Sequence, residues 1–148
     1  MTFRATNQVC ADAYASIKRQ AVETKSYMTA QATAMQVASV SAYVPLGVIQ
    51  HLAQVIGLMD GWTATPGIAT YAQAQENDPT YDVATEYGTM RTAMASALTQ
   101  LVTLFPTSGG FMAYQTLNAD GSITPRQFTA AQLATVVTLC NNVAATIS

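Results

Sequence analysis

The chain has 148 residues, half of them hydrophobic, with only 9% Asp, Glu, Lys or Arg and a formal net charge of −2. That length suits one domain with a real core, and a total of six Lys and Arg without any basic stripe excludes a nucleic-acid footprint. The charge deficit is the outlier, since soluble domains carry roughly 25% charged residues.

Gln, Thr, Ser and Asn keep such a surface wet, but cover by other subunits is the better explanation. Interface cores lose charges and gain Met and aromatics, and seven Met and seven Tyr fit that pattern.

Thr6 to Ala42 contains no Pro or Gly. Val9, Ala13, Ile17 and Ala21 recur on one helical face, and Met28 and Met35 extend it. The spacing predicts one long helix over 6–42, or two with a break near Ser26. Unbroken, it would run about 55 Å, against a radius of gyration of about 15 Å for a compact chain of this size. It would overhang the domain and need another surface to pack on. Val44-Pro45 marks a restart, because Pro is tolerated in a first helical turn. A helix over 45–59 follows, with Ile49, Leu52, Ile56 and Met59 on one face and Val48 and Val55 beside it. Asp60-Gly61 should end it, leaving Trp62 to Gly67 as a loop.

Ile68 to Glu76 reads as a short helix. Asn77-Asp78-Pro79 then predicts a helix over 79–105, capped by Asp78 with Pro79 in its first position. Its apolar series is Val83, Tyr87, Met90, Met94, Leu98, Leu101 and Phe105, and Pro106 stops it. Beyond Gly109-Gly110, residues 111–128 read as a β-hairpin turning at Asp120-Gly121, with Pro125 marking an edge. Thr129 and Gln132 form a capping box for a last helix over 130–147. Leu133, Val136, Val137, Cys140, Val143 and Ile147 are its apolar face. The fold class is therefore mainly α: a helical bundle of four to five helices with one β-hairpin before the C-terminal helix, in one domain over 1–148.

Arg4, Asn7, Gln8 and Asp12 break any apolar signal core near the start. Ser26 to Met59 is free of Asp, Glu, Lys and Arg. However, Gln31, Gln36, Gln50, His51 and Gln54 interrupt it, and Pro45 and Gly47 divide it. A membrane span needs about 20 predominantly apolar residues, so no membrane partner is expected. Cys10 and Cys140 make no CxxC pair and should be buried free thiols, although a bridge between the terminal helices stays open. Lys18 and Lys25 share a helical face, with Asp12 and Glu23 close enough to offset them.

No residue set predicts catalysis, a cofactor or a metal. The single histidine, His51, has no partnered acid or nucleophile nearby in sequence and none of the clustered ligands of a zinc site. It reads as a hydrogen-bonded structural or interface residue. In a calcium-loop register, Asn118, Asp120, Gly121 and Ile123 fall in place. Thr116 and Gln127, however, stand where Asp and Glu are needed, and hairpin chemistry explains Asp-Gly. Asp78, Asp82 and Glu86 share helical spacing, but at a helix start they offset the dipole, and no second carboxylate helix accompanies them. Trp62, Tyr71, Tyr81, Tyr87 and Tyr114 could line a groove, yet aromatics at this density are more often core or interface anchors. Phosphate-loop, dinucleotide, nucleophile-elbow and zinc-helix motifs are all missing from the sequence.

Tyr114-Gln115-Thr116-Leu117-Asn118-Ala119-Asp120-Gly121-Ser122-Ile123 is followed by Arg126-Gln127-Phe128-Thr129-Ala130-Ala131-Gln132-Leu133. This stretch resembles the end of small tailed-phage virion proteins, which carry a short hairpin and then a terminal helix. Tyr71-Ala72-Gln73-Ala74-Gln75-Glu76-Asn77-Asp78-Pro79 is similar to their middle segment. The resemblance covers about the second half of the chain, and its motifs are structural. It implies a virion component at the head–tail junction, neck or tail, with copies of itself and other virion proteins as partners. It implies a homo-oligomer in the virion and no active site. A small helical binding module is the alternative.

Overall fold

In the computed structural model the chain is described over residues 2–36, 41, 43–105 and 114–147, with side chains from Gln8 onward. Among the described residues there are five helices and one two-stranded antiparallel hairpin placed before the last helix. The mainly α class is therefore as expected.

α1, Thr2–Ala34, is continuous through Ser26, so no break occurs there, and at 33 residues it is about 50 Å long. It stops short of the expected end; 37–40 and Ala42 lie outside the described residues. Its buried positions are Cys10, Ala13, Ile17, Ala21, Thr24, Met28, Ala32 and Met35, while Val9 is 55% exposed. The core face thus passes through Cys10 and not Val9. The steps run three, four, four and repeat, so Cys10, Ala21 and Ala32 are equivalent. Eleven residues in three turns give about 3.67 per turn, close to the straight-helix value of about 3.6. The buried seam therefore hardly drifts around α1 along its whole length.

α2, Tyr43–Thr63, continues past Asp60-Gly61, which was expected to end it. A helical Gly costs only about 1 kcal/mol against Ala. Here packing on both sides outweighs that, with Met59 buried, Trp62 against the core and Asp60 paired with Arg91. Its buried face is Pro45, Val48, Leu52, Val55 and Met59; Leu52 and Met59 lie inside as expected, while Ile49 and Ile56 are only partly buried and Val48 and Val55, expected beside the line, take their place.

α3, Ile68–Glu76, ends at Asn77 in the left-handed region, whose N–H reaches the carbonyls of Ala74 and Gln73. α4 is Val83–Val102, four residues later than the Asp78-Pro79 signal predicted. Asp78 accepts instead from the Thr80 N–H and hydroxyl at 2.9 and 2.7 Å, a local turn that competes with a helix start. Asp82 is the cap, accepting from the Ala84 N–H at 2.9 Å. Its buried face is Val83, Tyr87, Met90, Met94, Ala97 and Leu101, with Ala97 where Leu98 was expected.

The hairpin, β1 (Gln115–Leu117) and β2 (Ile123–Pro125), is shorter than 111–128 predicted; residues 111–113 lie outside the described set. Pro125 ends the pairing opposite Gln115, on an edge. α5, Ala130–Ala145, opens on the expected capping box, Thr129 Oγ1 accepting from the Gln132 N–H at 3.1 Å and the Thr129 N–H donating to Gln132 Oε1 at 2.9 Å. Thr129→Ala removes the Oγ1 acceptor and so the first of these bonds, while its backbone N–H can still donate to Gln132; the loss should cost about 1 kcal/mol, read as a lower urea midpoint with unchanged slope.

α1, α2, α4 and α5 form a four-membered bundle in which every neighbour runs antiparallel. Thr24 meets His51 and Tyr27 meets Gly47 between α1 and α2. Asp60 meets Arg91 between α2 and α4. Gln100 shares a groove with Ala134 and Thr138 between α4 and α5, and Lys25 donates to the Ile147 carbonyl at 3.0 Å between α1 and α5. The buried positions of α2 and α4 alternate three and four, the seam of helices crossing at about 20°. α3 runs alongside the first half of α1, through Cys10 Sγ to the Pro66 carbonyl at 3.3 Å, an edge-on Tyr14–Tyr71 contact and the Lys18–Glu76 ion pair. One long helix is thus covered by two shorter ones in succession, α3 and then α5.

All five methionines with described side chains, Met28, Met35, Met59, Met90 and Met94, are buried in this core. They fill the chain's own interior and do not form the exposed interface faces that composition suggested. Cys10 and Cys140 are both free and buried. Burial pushes the Cys140 thiol up to about 11, so it stays protonated and inert at neutral pH.

Candidate functional site

Phe105, just beyond α4, packs its ring on Tyr114 at 5.5 Å and on Phe128 at 5.2 Å. These contacts hold both ends of the hairpin against the bundle. The Tyr43 hydroxyl donates to Gln115 Oε1, and Ser41 bridges Gln127. Gln115 is only 5% exposed, and its Nε2 has no acceptor. A buried unmet donor costs roughly 1–3 kcal/mol, which weakens this attachment.

Beyond that base the hairpin turns outward. Ala119, Asp120 and Gly121 form a three-residue loop, with the Gly121 N–H donating to Asn118 O at 3.0 Å and the Asn118 N–H to Ser122 O at 2.8 Å. Gly121 has φ +87°, the left-handed position this loop class requires. Leu117 and Ile123 face each other across the strands, 60% and 52% exposed. The tip is therefore a rigid turn presenting an apolar pair to solvent.

The loop's polar groups engage one another. Asn118 directs its amide Nδ2, a donor, at Ser122 Oγ and Thr124 Oγ1 at 2.9 and 2.7 Å. Asp120 Oδ1 accepts from the Ser122 N–H and hydroxyl at 3.0 and 2.6 Å, which holds its carboxyl below the usual range. A calcium loop needs such oxygens converging on a centre; here the Asn118 amide nitrogen and the Asp120 carboxylate are engaged within the turn itself. The other carboxylates also stay apart, with Asp78 in a turn, Asp82 capping α4 and Glu86 in the first turn.

His51 is half-buried on α2 at the α1 seam. Its ring stacks on Tyr27 at 4.1 Å and 12°, and its Nε2 lies 3.3 Å from Thr24 Oγ1. Burial lowers its pKa, and the nearby Glu23 carboxylate opposes that without cancelling it. The hydroxyl beside the ring belongs to Thr24, which is fully buried.

This histidine predicts a pH response. With its folded pKa below the unfolded value of about 6.5, the unfolded chain binds the extra proton. The stabilisation is complete above that value and is lost as pH falls through the folded pKa. Asp78, Asp82 and Asp120, held below the usual carboxylate range by hydrogen bonds to Thr80, Thr85 and Ser122, act only at lower pH. The melting temperature should therefore fall between about pH 6.5 and pH 5, a slope that His51→Gln should flatten. Equal slopes in both proteins would show that His51 is not the cause.

A cavity of about 240 Å³ opens beyond the end of α5, between α1 and α4. Lys18, Val22, Glu86, Tyr87, Met90 and Ile147 line it. Lys18 is already paired with Glu76 and lies 5.0 Å from the Tyr14 ring centre. Of the sequence-picked aromatics, Tyr87 borders this space, with Tyr81 close by; burial raises the pKa of both hydroxyls. Tyr71 packs on Tyr14, Tyr114 on Phe105 and Trp62 on the core. They line no common groove.

Sequence reasoning missed the Leu117–Ile123 pair as a surface feature. The signal was available, since residues flanking a tight turn in fixed register oppose one another. The cavity had no such signal, because three distant segments build it. No helix of the described residues is long and apolar enough to cross a membrane, and no metal-holding group of His, Cys, Asp and Glu occurs among them. Comparison of the chain with protein-family models, curated proteins and solved structures finds no match in any of the three.

Proposed function

We propose that the chain is a non-enzymatic structural protein of a tailed-phage virion, a multi-copy component of the head–tail connector, neck or tail that assembles with copies of itself and other virion proteins. The hairpin supports this reading most. It lies in the segment that resembles phage virion proteins, and its rigid tip holds Leu117 and Ile123 exposed. A hairpin bearing an exposed apolar pair is suited to insertion against a neighbouring subunit. The charge deficit points the same way. The test is immunodetection of the chain in purified particles, with a fixed number of copies per particle expected. A chain confined to the soluble lysate and absent from particles would end the proposal.

The second reading is a small helical binding module, favoured by the cavity at Lys18, Glu86 and Tyr87. A strict monomer, absent from particles and stabilised against heat by a small ligand, would support it.

A further inference from the structure

Among the described residues, the carboxylates of Asp12, Asp60, Glu76, Asp78, Asp82 and Asp120 each have a hydrogen-bond partner within the chain. Those of Glu23, which faces His51, and of Glu86 have none. Glu86 stands on the rim of the cavity of about 240 Å³ between α1, α4 and the end of α5. It lies four residues before Met90, so both project from one face of α4 into the same space. Ala21, Tyr87, Met90 and Ile147, all buried, form an apolar floor, and the exposed Val22 extends it to the edge. An unpaired carboxylate thus stands over a hydrophobic recess.

We propose that this cavity is a binding site for a small organic cation, a primary ammonium group on a compact apolar body. The proposal rests on the binding-module reading above and names its ligand class. The positive charges at this place are already met. Lys18 is paired with Glu76, and Lys25 donates to the Ile147 carbonyl just beyond α5. That end of α5 is the negative pole of its dipole, which favours a cation, as the Lys25 bond illustrates. The Tyr81 and Tyr87 hydroxyls near Glu86 stay neutral, because burial, reinforced by the Glu86 charge, raises the pKa of both. The unmet charge at the mouth is therefore negative. An anion would face Glu86 with its own charge unpaired, and a neutral apolar molecule would gain only the floor.

The volume sets the size of the guest. A dry apolar cavity of about 150 Å³ holds benzene, so the larger space here admits a benzene-sized body with a short arm, the dimensions of phenethylammonium. Glu86 is exposed, and an ion pair at such a position is worth only a few-fold in affinity. A ligand of so few atoms should bind with a Kd of about a millimolar.

The experiment is methionine-methyl NMR of the full chain at low salt, titrated with phenethylammonium and with phenethyl alcohol and hydrocinnamate as its neutral and anionic counterparts. The Met90 methyl should shift saturably with the ammonium, which should bind about three- to fivefold more tightly than the alcohol, with hydrocinnamate weakest. Met59, which lines the separate space beside Arg91, and Met35 should not move. Glu86→Gln changes an exposed side chain that makes no hydrogen bond among the described residues, so it should keep the ligand-free methyl spectrum and the melting curve. It should bind the ammonium no better than the alcohol and leave the affinity for the alcohol unchanged. Equal affinity of wild type for ammonium and alcohol, undiminished ammonium binding by Glu86→Gln, or a shift of Met59 in place of Met90 overturns the proposal. Saturable binding of the alcohol or hydrocinnamate at Met90 would then leave the binding-module reading standing. A Met90 methyl that answers none of the three probes overturns the proposal and removes the cavity on which that reading rests.

Discussion

Leu52→Ala should lower the unfolding free energy by about 2–5 kcal/mol. Leu52 is fully buried on α2, between Val48 and Val55 on a face that meets both α1 and α4. Truncation removes its transfer free energy and leaves a hole that antiparallel helices on either side cannot close without sliding along their seams. Met28, Met59, Met90 and Met94 are buried in the same core, and unbranched thioether chains fill gaps readily, which favours the lower end of that range. Leu58→Ala, on the same helix but 39% exposed, should cost less than 1 kcal/mol. Urea unfolding followed by circular dichroism separates the two. A midpoint shift no larger for Leu52→Ala than for Leu58→Ala would mean that α2 is packed the other way round.

Phe105→Ala should free the hairpin while leaving the bundle folded. Replacement of a buried Phe costs about 3–5 kcal/mol in a closed core. Phe105 is 7% exposed and is the ring on which both Tyr114 and Phe128 rest. An isolated two-stranded hairpin is marginal in water, and the unmet donor of Gln115 weakens the remaining attachment. The expected signature is therefore local. Hydrogen exchange at the hairpin amides of Asn118 and Arg126, which donate to Ser122 and Tyr114 carbonyls at 2.8 Å, should approach that of an open chain. Amides in the middle of α1 and α4 should keep most of their protection. Uniform loss throughout would show that the hairpin and bundle unfold as one unit.

Much of this fold is legible in the residue order. The last helix is the clearest case, because Thr129 and Gln132 lie three residues apart and cap each other through local bonds. The hairpin turn follows likewise from Gly121, the residue type its left-handed position requires. α3 and the long stretch of α1 follow from local spacing. Where the reading went astray, a local preference met a competitor in space. Gly61 stays helical because Asp60 and Met59 are held by α4 and the core. Asp78 yields the cap to Asp82 because its carboxyl is engaged by Thr80.

The sequence by itself determined the helical class, the hairpin before the last helix and the scarcity of charge, since propensity, turn chemistry and composition act over a few residues. The tertiary structure decided which face of each helix is inside. Cys10 rather than Val9, and Val48 rather than Ile49, are buried because neighbouring apolar residues differ by only about 100° around a helix, and packing partners choose between them. It also decided that the five described methionines belong to the chain's own core. Those arrangements depend on which segments meet across the bundle, and residues far apart in sequence carry no local signal of their meeting.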